Sequence, residues 1–129
     1  MYKRQVYKFT RIRRVNGEPL MLETSYYPEY IYPGLTREQV ETSSMYSLLH
    51  GSGIIPGIAE DTYEVIRLSK EDAELLQCRR STIGFFHQRR CSTEGGEIIE
   101  FTRSLIRGDR VRLDVFMQGD NVVFTRSFD

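Results

Sequence analysis

Apolar and polar residues alternate over residues 6–15 (VYKFTRIRRV), and β-forming residues continue over 19–27 (PLMLETSYY). Asn16-Gly17 between them is a strong turn signal, so the two stretches predict a hairpin. Pro28 and Pro33-Gly34 break the sheet. Thr36-Arg37-Glu38-Gln39 has the capping-box pattern of a helix start. Residues 43–50 predict a second short helix, stopped by Gly51 and Gly53. Residues 58–68 predict a strand, and Ser69-Lys70-Glu71-Asp72 caps a third short helix that buries Ala73, Leu75 and Leu76. Two further strands, 81–93 and 97–107, join around Glu94-Gly95-Gly96. Arg107-Gly108-Asp109-Arg110 turns into a strand over 111–117, and Gly119-Asp120-Asn121 turns into a last one over 122–126. About seven strands with hairpin connections and two or three short helices predict an α+β domain. Its helices are expected on one face or end of an antiparallel sheet.

The length of 129 residues fits one domain, long enough for a core without disulfide staples. Basic and acidic residues balance at 18 each, which excludes binding to nucleic acid or anionic membrane by bulk charge. No apolar run is long enough to span a bilayer, and no signal peptide opens the chain, so a cytoplasmic location is expected. Cys78 and Cys91 lack CxxC spacing and are expected to be reduced. His50 and His87 stand without metal-ligand neighbours, and no metal or cofactor pattern is present.

Of the 18 basic residues, 15 are Arg. Arg forks onto carboxylates and phosphates better than Lys, but GC-rich coding gives the same excess, so positions must decide. Met1–Gln5 (MYKRQ) resembles the translation of a sequencing-library adapter. The expectation is a five-residue scar, with residues 6–129 the native part and the natural protein extending upstream.

Phe9, Arg11, Arg13 and Val15 share one strand face. Two arginines so placed repel unless an anion lies between them. A three-residue loop sets Glu23 opposite Arg11; a two-residue loop puts Leu22 there and turns Glu23 away. Either a surface salt bridge or a bound anion fits. Ser43 and Ser44 stand at a helix start, where they cap the helix, help hold an anion, or divide the two tasks. Ile98, Glu100, Thr102, Ser104 and Ile106 share one face of their strand, and Ile99, Phe101, Arg103 and Leu105 the other. Glu100 among apolar neighbours needs a partner, a ligand or solvent. Arg79-Arg80 and Arg89-Arg90 read as solvated pairs, and Arg107-Gly108-Asp109 as a turn. No nucleophile–base arrangement is present, so no catalysis is expected.

The ordered segments RIRRVNGEPLMLETSYYP (11–28), PGL (33–35), SSMYSLL (43–49), SKEDAELLQC (69–78) and GGEIIEFTRSLIRGDR (95–110) resemble the UTRA effector-binding domain. That domain occurs in the HutC subfamily of GntR-type bacterial transcription regulators. The resemblance covers most of the chain, and it rests on the ordered set rather than on one motif. It implies a chorismate-lyase-like α+β fold that binds a small metabolite and forms a homodimer. It also implies a winged helix–turn–helix domain upstream, through which alone the parent, a repressor by this likeness, would touch DNA.

In the amino-sugar-phosphate branch of that family, arginines, a glutamate and helix-start serines surround the effector. The matching positions are Arg11, Arg13, Glu23, Ser44 and Glu100, with Ile106 where a pocket tyrosine is common. The same frame occurs in relatives with other anionic effectors. A chorismate-lyase-type enzyme on this fold and a purely structural domain are the competing readings.

Overall fold

The structure, a computed structural model, describes residues 5–128. Met1–Arg4, most of the expected adapter-derived segment, lie outside the described residues. The described residues form seven strands and three short helices: β1 (Val6–Val15), β2 (Glu18–Pro28), α1 (Arg37–Thr42), α2 (Met45–Leu48), β3 (Ile58–Arg67), α3 (Lys70–Leu75), β4 (Ile83–Ser92), β5 (Ile98–Arg107), β6 (Val111–Gln118) and β7 (Asn121–Phe128). The main sheet has five antiparallel strands in the order β1-β2-β5-β4-β3, and β6 pairs with β7 in a separate hairpin. After β2 the chain leaves the sheet, forms α1 and α2, and re-enters at the far edge as β3. β4 and β5 then fill inward until β5 closes on β2.

The first hairpin resolves the open register in an unexpected way. Its turn has two residues, Asn16 and Gly17, since Val15 pairs with Glu18. Both take positive φ, 51° and 79°, the geometry an Asn-Gly turn favours. A two-residue turn alone would bring Leu22 opposite Arg11. The register shifts, however, where Arg14 pairs with Pro19 and Arg13 with Met21, so Leu20 is left over as a bulge. Beyond it, Arg11 faces Glu23. Leu20 and Met21 are both buried, at 2% and 3% exposure, so the bulge hides two successive apolar residues where alternation would expose one.

A second bulge sits in β5, where Glu100 pairs with Cys91 and Ile98 with Ser92, leaving Ile99 over. The expected alternation therefore fails at Ile99. It is fully buried with Tyr27, Ile31, Tyr32, Leu35 and Leu49, which carry α1 and α2 on the Tyr27 side of the sheet. The helices are not confined to one face: α3 buries Ala73 and Leu76 with Leu68 against Leu22, Ile66 and Leu105 on the opposite side. All three helices start as expected. Thr36 and Gln39 complete a capping box, Ser44 accepts from the Ser47 N–H, and Ser69 accepts from the Asp72 N–H.

Arg107 does more than make a turn. Its side chain is 6% exposed, and Nε and Nη2 donate to both oxygens of Asp109 at 3.0 and 2.8 Å. Nη1 donates to Glu18 Oε1 and to the carbonyls of Pro19 and Leu76. It thus ties the start of β2, the end of α3 and the turn after β5 together. These bonds hold Asp109 below its ordinary carboxylate value, the Arg107 hydrogen bonds being the main cause. Arg107→Ala is expected to cost roughly 3–5 kcal/mol in denaturant unfolding, because it opens a buried site and strands two carbonyls. Surface Arg112→Ala is expected to cost under about 1 kcal/mol.

Candidate functional site

Antiparallel register lines up side chains across one sheet face. One row runs Arg11, Glu23, Ser104, His87 and Tyr63; the next runs Phe9, Ser25, Thr102, Arg89 and Asp61. A sheet face this polar is costly to cover unless every group finds a partner. Here it lines a cavity of about 360 Å³, with Phe124 and Arg126 of β7 also contributing to the wall.

At the β1–β2 end, one oxygen serves two arginines. Glu23 Oε1 accepts from Arg11 Nε and Nη2 at 3.1 and 2.9 Å and from Arg13 Nε at 3.3 Å. The Glu23 side chain is 11% exposed, Arg11 29% and Arg13 50%. Two positive charges against one negative leave this end with a net positive charge. The guanidinium donors that Glu23 does not use suit a phosphate or carboxylate.

The floor is a hydroxyl chain. Thr102 Oγ1 donates to Glu100 Oε1 at 3.1 Å, and Ser25 Oγ lies 3.2 Å from Thr102 Oγ1. Thr102 has one hydrogen and spends it on Glu100, so Ser25 is the donor in the second bond. Burial holds the Glu100 carboxyl above its ordinary value; Thr102 opposes this, and the Glu23 charge adds to it. Burial, then Glu100, pushes the Tyr27 hydroxyl up to about 12, so it is neutral here.

The β3–β4 end was not legible as a site. Asp61 Oδ1 lies 2.8 Å from His87 Nε2, and Asp61 Oδ2 accepts from Arg89 Nη1 at 2.8 Å. The carboxylate only accepts, so Nε2 carries the hydrogen. His87 is 6% exposed and stacks on Tyr63, with ring centroids 4.3 Å apart. Burial raises the Tyr63 hydroxyl, and Arg126 beside it opposes the rise. Arg89 and Arg90 are both exposed, as expected, but they face opposite sides of the sheet: Arg89 lines the cavity, while Arg90, one residue on, points to the other face, opposite Glu60 in the strand register. His87 has a partner in Asp61. Alternation along β4 separates these residues once its pairing is known, but no local pattern names Asp61 as the partner.

Of the residues singled out from the sequence, Arg11, Arg13, Glu23 and Glu100 meet in this cavity. Ser44 and Ile106 are not among its lining residues. Ser44 is exposed and its hydroxyl is used within its own helix, accepting from the Ser47 N–H at 3.1 Å and lying 2.9 Å from Ser47 Oγ. Ile106 is wholly buried between Met21 and Phe85 in the adjoining apolar row. A larger hollow of about 940 Å³ lies between residues 77–84 and the 107–110 turn. Its buried charge, Arg107, is occupied by contacts that hold the fold. No group of His, Cys, Asp and Glu fit to hold a metal occurs among the described residues, and both cysteines are free.

Glu100 gives the site a pH signature. Its folded value is raised, so its favourable protonated form is complete below about pH 4.3, the ordinary Glu value, and is lost as pH rises through the folded value. Glu100→Gln keeps the Thr102 bond and removes the charge. The variant is expected to melt higher than the parent at pH 7, with the gain vanishing near pH 4, in paired thermal melts.

The comparisons with known proteins agree with this architecture. A model of the UTRA domain matches residues 2–112. The HTH-type transcriptional repressor PhnF of Mycolicibacterium smegmatis is 29% identical over 116 residues, 90% of this chain and 48% of PhnF. The HTH-type transcriptional regulator YydK of Bacillus subtilis, itself uncharacterized, is 34% identical over 71 residues, 55% of this chain and 30% of YydK. The chain thus spans half or less of these curated relatives. The crystal structure of the PhnF effector domain superposes with a TM-score of 0.73 at 29% identity, covering 88% of this chain and 70% of that one. A GntR-family regulator from Enterococcus faecalis shares the fold, with a TM-score of 0.76 at 20% identity over 88% of this chain and 80% of its own. By the family model that spans most of its length, this chain belongs to the UTRA domain family, whose members similar to it are GntR-family transcriptional regulators.

Proposed function

We propose that the chain is the ligand-sensing domain of a HutC-type transcription regulator acting in the cytoplasm as a homodimer. Its 360 Å³ cavity holds a small anionic metabolite, such as an amino-sugar phosphate, and so controls DNA binding by a winged helix–turn–helix domain upstream. On this reading Met1–Gln5 are the adapter scar. The observation that carries the proposal is Glu23 shared by two arginines. A purely structural salt bridge needs one arginine; the second leaves a positive charge facing a cavity. The ligand's anion takes Arg11 and Arg13, and its hydroxyl or amine meets Glu100 and the Ser25–Thr102 chain. Binding involves no bond making or breaking in the ligand.

Thermal shift and calorimetry with glucosamine 6-phosphate and related sugar phosphates test this. A ligand at 100 times its Kd is expected to stabilise the chain by about 2.7 kcal/mol. Arg13→Ala is expected to weaken binding by about tenfold or more. It should cost under about 1 kcal/mol of ligand-free stability, because the Arg13 side chain is half exposed and its bond to Glu23 is long. Equal losses of binding and stability would make the arginines structural. Incubation with chorismate is expected to release no pyruvate; turnover would instead establish the enzyme reading.

A further inference from the structure

The cavity has a second charged end that the family likeness does not assign. At the β1–β2 end, Arg11 and Arg13 share Glu23; at the β3–β4 end, Arg89 bonds to Asp61, and Arg126 of β7 lines the same wall. Between the ends lie hydroxyls and Glu100. Donors for anions are therefore placed at both ends, and hydroxyl partners in the middle.

The chemistry of the β3–β4 end favours an anion over an amine. Both Asp61 oxygens are already engaged, one by His87 and one by Arg89. An ammonium group would find only the lone pairs that His87 and Arg89 leave, on a carboxylate whose charge Arg89 already balances. Arg89 spends one Nη1 hydrogen on Asp61, and its side chain remains 46% exposed. A guanidinium has five N–H donors, so donors remain for a second acceptor. His87, stacked on Tyr63 and bonded to Asp61, holds the carboxylate that orients Arg89. Arg11 and Arg13 stand on β1 and Arg89 on β4, three strand spacings or about 14 Å apart at the backbone. Both β1 arginines reach inward to Glu23 on β2, which brings their guanidinium groups closer to Arg89. That narrowed span suits a short polyhydroxy chain with a charged group at each end.

We infer that this cavity takes a dianionic polyol, with one anion on Arg11 and Arg13, the second on Arg89, and hydroxyls between them over Ser25, Thr102 and Glu100. The inference rests on the reading of the cavity as an effector site and specifies the ligand class. A sugar phosphate without an acid group fills only half of the charge pattern.

Three probes of matched carbon chain separate the ends: 6-phosphogluconate, with phosphate and carboxylate; glucose 6-phosphate, with phosphate alone; and gluconate, with carboxylate alone. Calorimetry on the intact chain is expected to show 6-phosphogluconate binding about tenfold or more tighter than either single anion, the scale of one charge-assisted contact. Arg89→Gln is expected to remove that advantage, so that the variant binds 6-phosphogluconate no more tightly than glucose 6-phosphate, and Arg13→Ala to weaken both phosphates. Equal affinity of the wild-type chain for 6-phosphogluconate and glucose 6-phosphate would overturn the second subsite and leave the sensing role standing. This comparison needs no variant, so it decides even if Arg89→Gln misfolds. Failure of all three probes and of glucosamine 6-phosphate would overturn both readings.

Discussion

The site depends on the register between β1 and β2, and that register depends on one extra residue. A tight Asn-Gly turn pulls the strands into a pairing that would send Glu23 to the wrong face. Leu20 bulges out of the ladder and moves every later pair by one. Glu23 then lies between Arg11 and Arg13, and Ser25 and Tyr27 follow it onto the cavity face. A bulge leaves one residue unpaired, and burial of Leu20 and Met21 offsets part of that cost, at roughly 1.5–3 kcal/mol for each large apolar side chain. Apolar packing at one end of the hairpin thus sets electrostatic chemistry at the middle.

Arg107 has a matching role at the same end of β2. It holds the Pro19 carbonyl just before the bulge and the Leu76 carbonyl at the end of α3, with Asp109 closing the turn. Its charge is buried but bonded to two carboxylates and two carbonyls, so it specifies geometry. Arg11, Arg13 and Arg89 are each paired with a carboxylate yet partly exposed. That difference in exposure separates arginines that hold the fold from arginines that can hold an anion.

Much of the fold could be read from the residues in order. Capping signals at Thr36, Ser44 and Ser69 and turn signals at Asn16-Gly17 and Gly119-Asp120 depend on neighbours within four positions, and the structure has them all. Half of the site was legible too. Arg11, Arg13 and Glu100 stand in strands whose alternation assigns them to a face; the side of Glu23 stayed open between two loop lengths, and the family likeness names all four. Two further positions carried over from the family, Ser44 and Ile106, are placed outside the cavity lining, the first as an exposed helix cap and the second within the apolar row. The adjacent pair Arg89-Arg90 looks alike in sequence, yet only the first faces the cavity. Asp61 lies in a strand with no marker of its own and gains its role by standing opposite Arg89.

The sequence by itself determined the kinds of element, their boundaries to within a few residues, and the α+β class, because caps, turns and alternation act over a few residues. It also determined that charges and apolar groups share the same strands. The tertiary structure decided the strand order, the two bulges, the side of the sheet each helix covers, and the joining of Asp61, His87 and Arg89 with Arg11, Arg13 and Glu23 in one cavity. Those outcomes come from pairing between residues far apart in the chain, where a shift of one position turns every side chain to the opposite face.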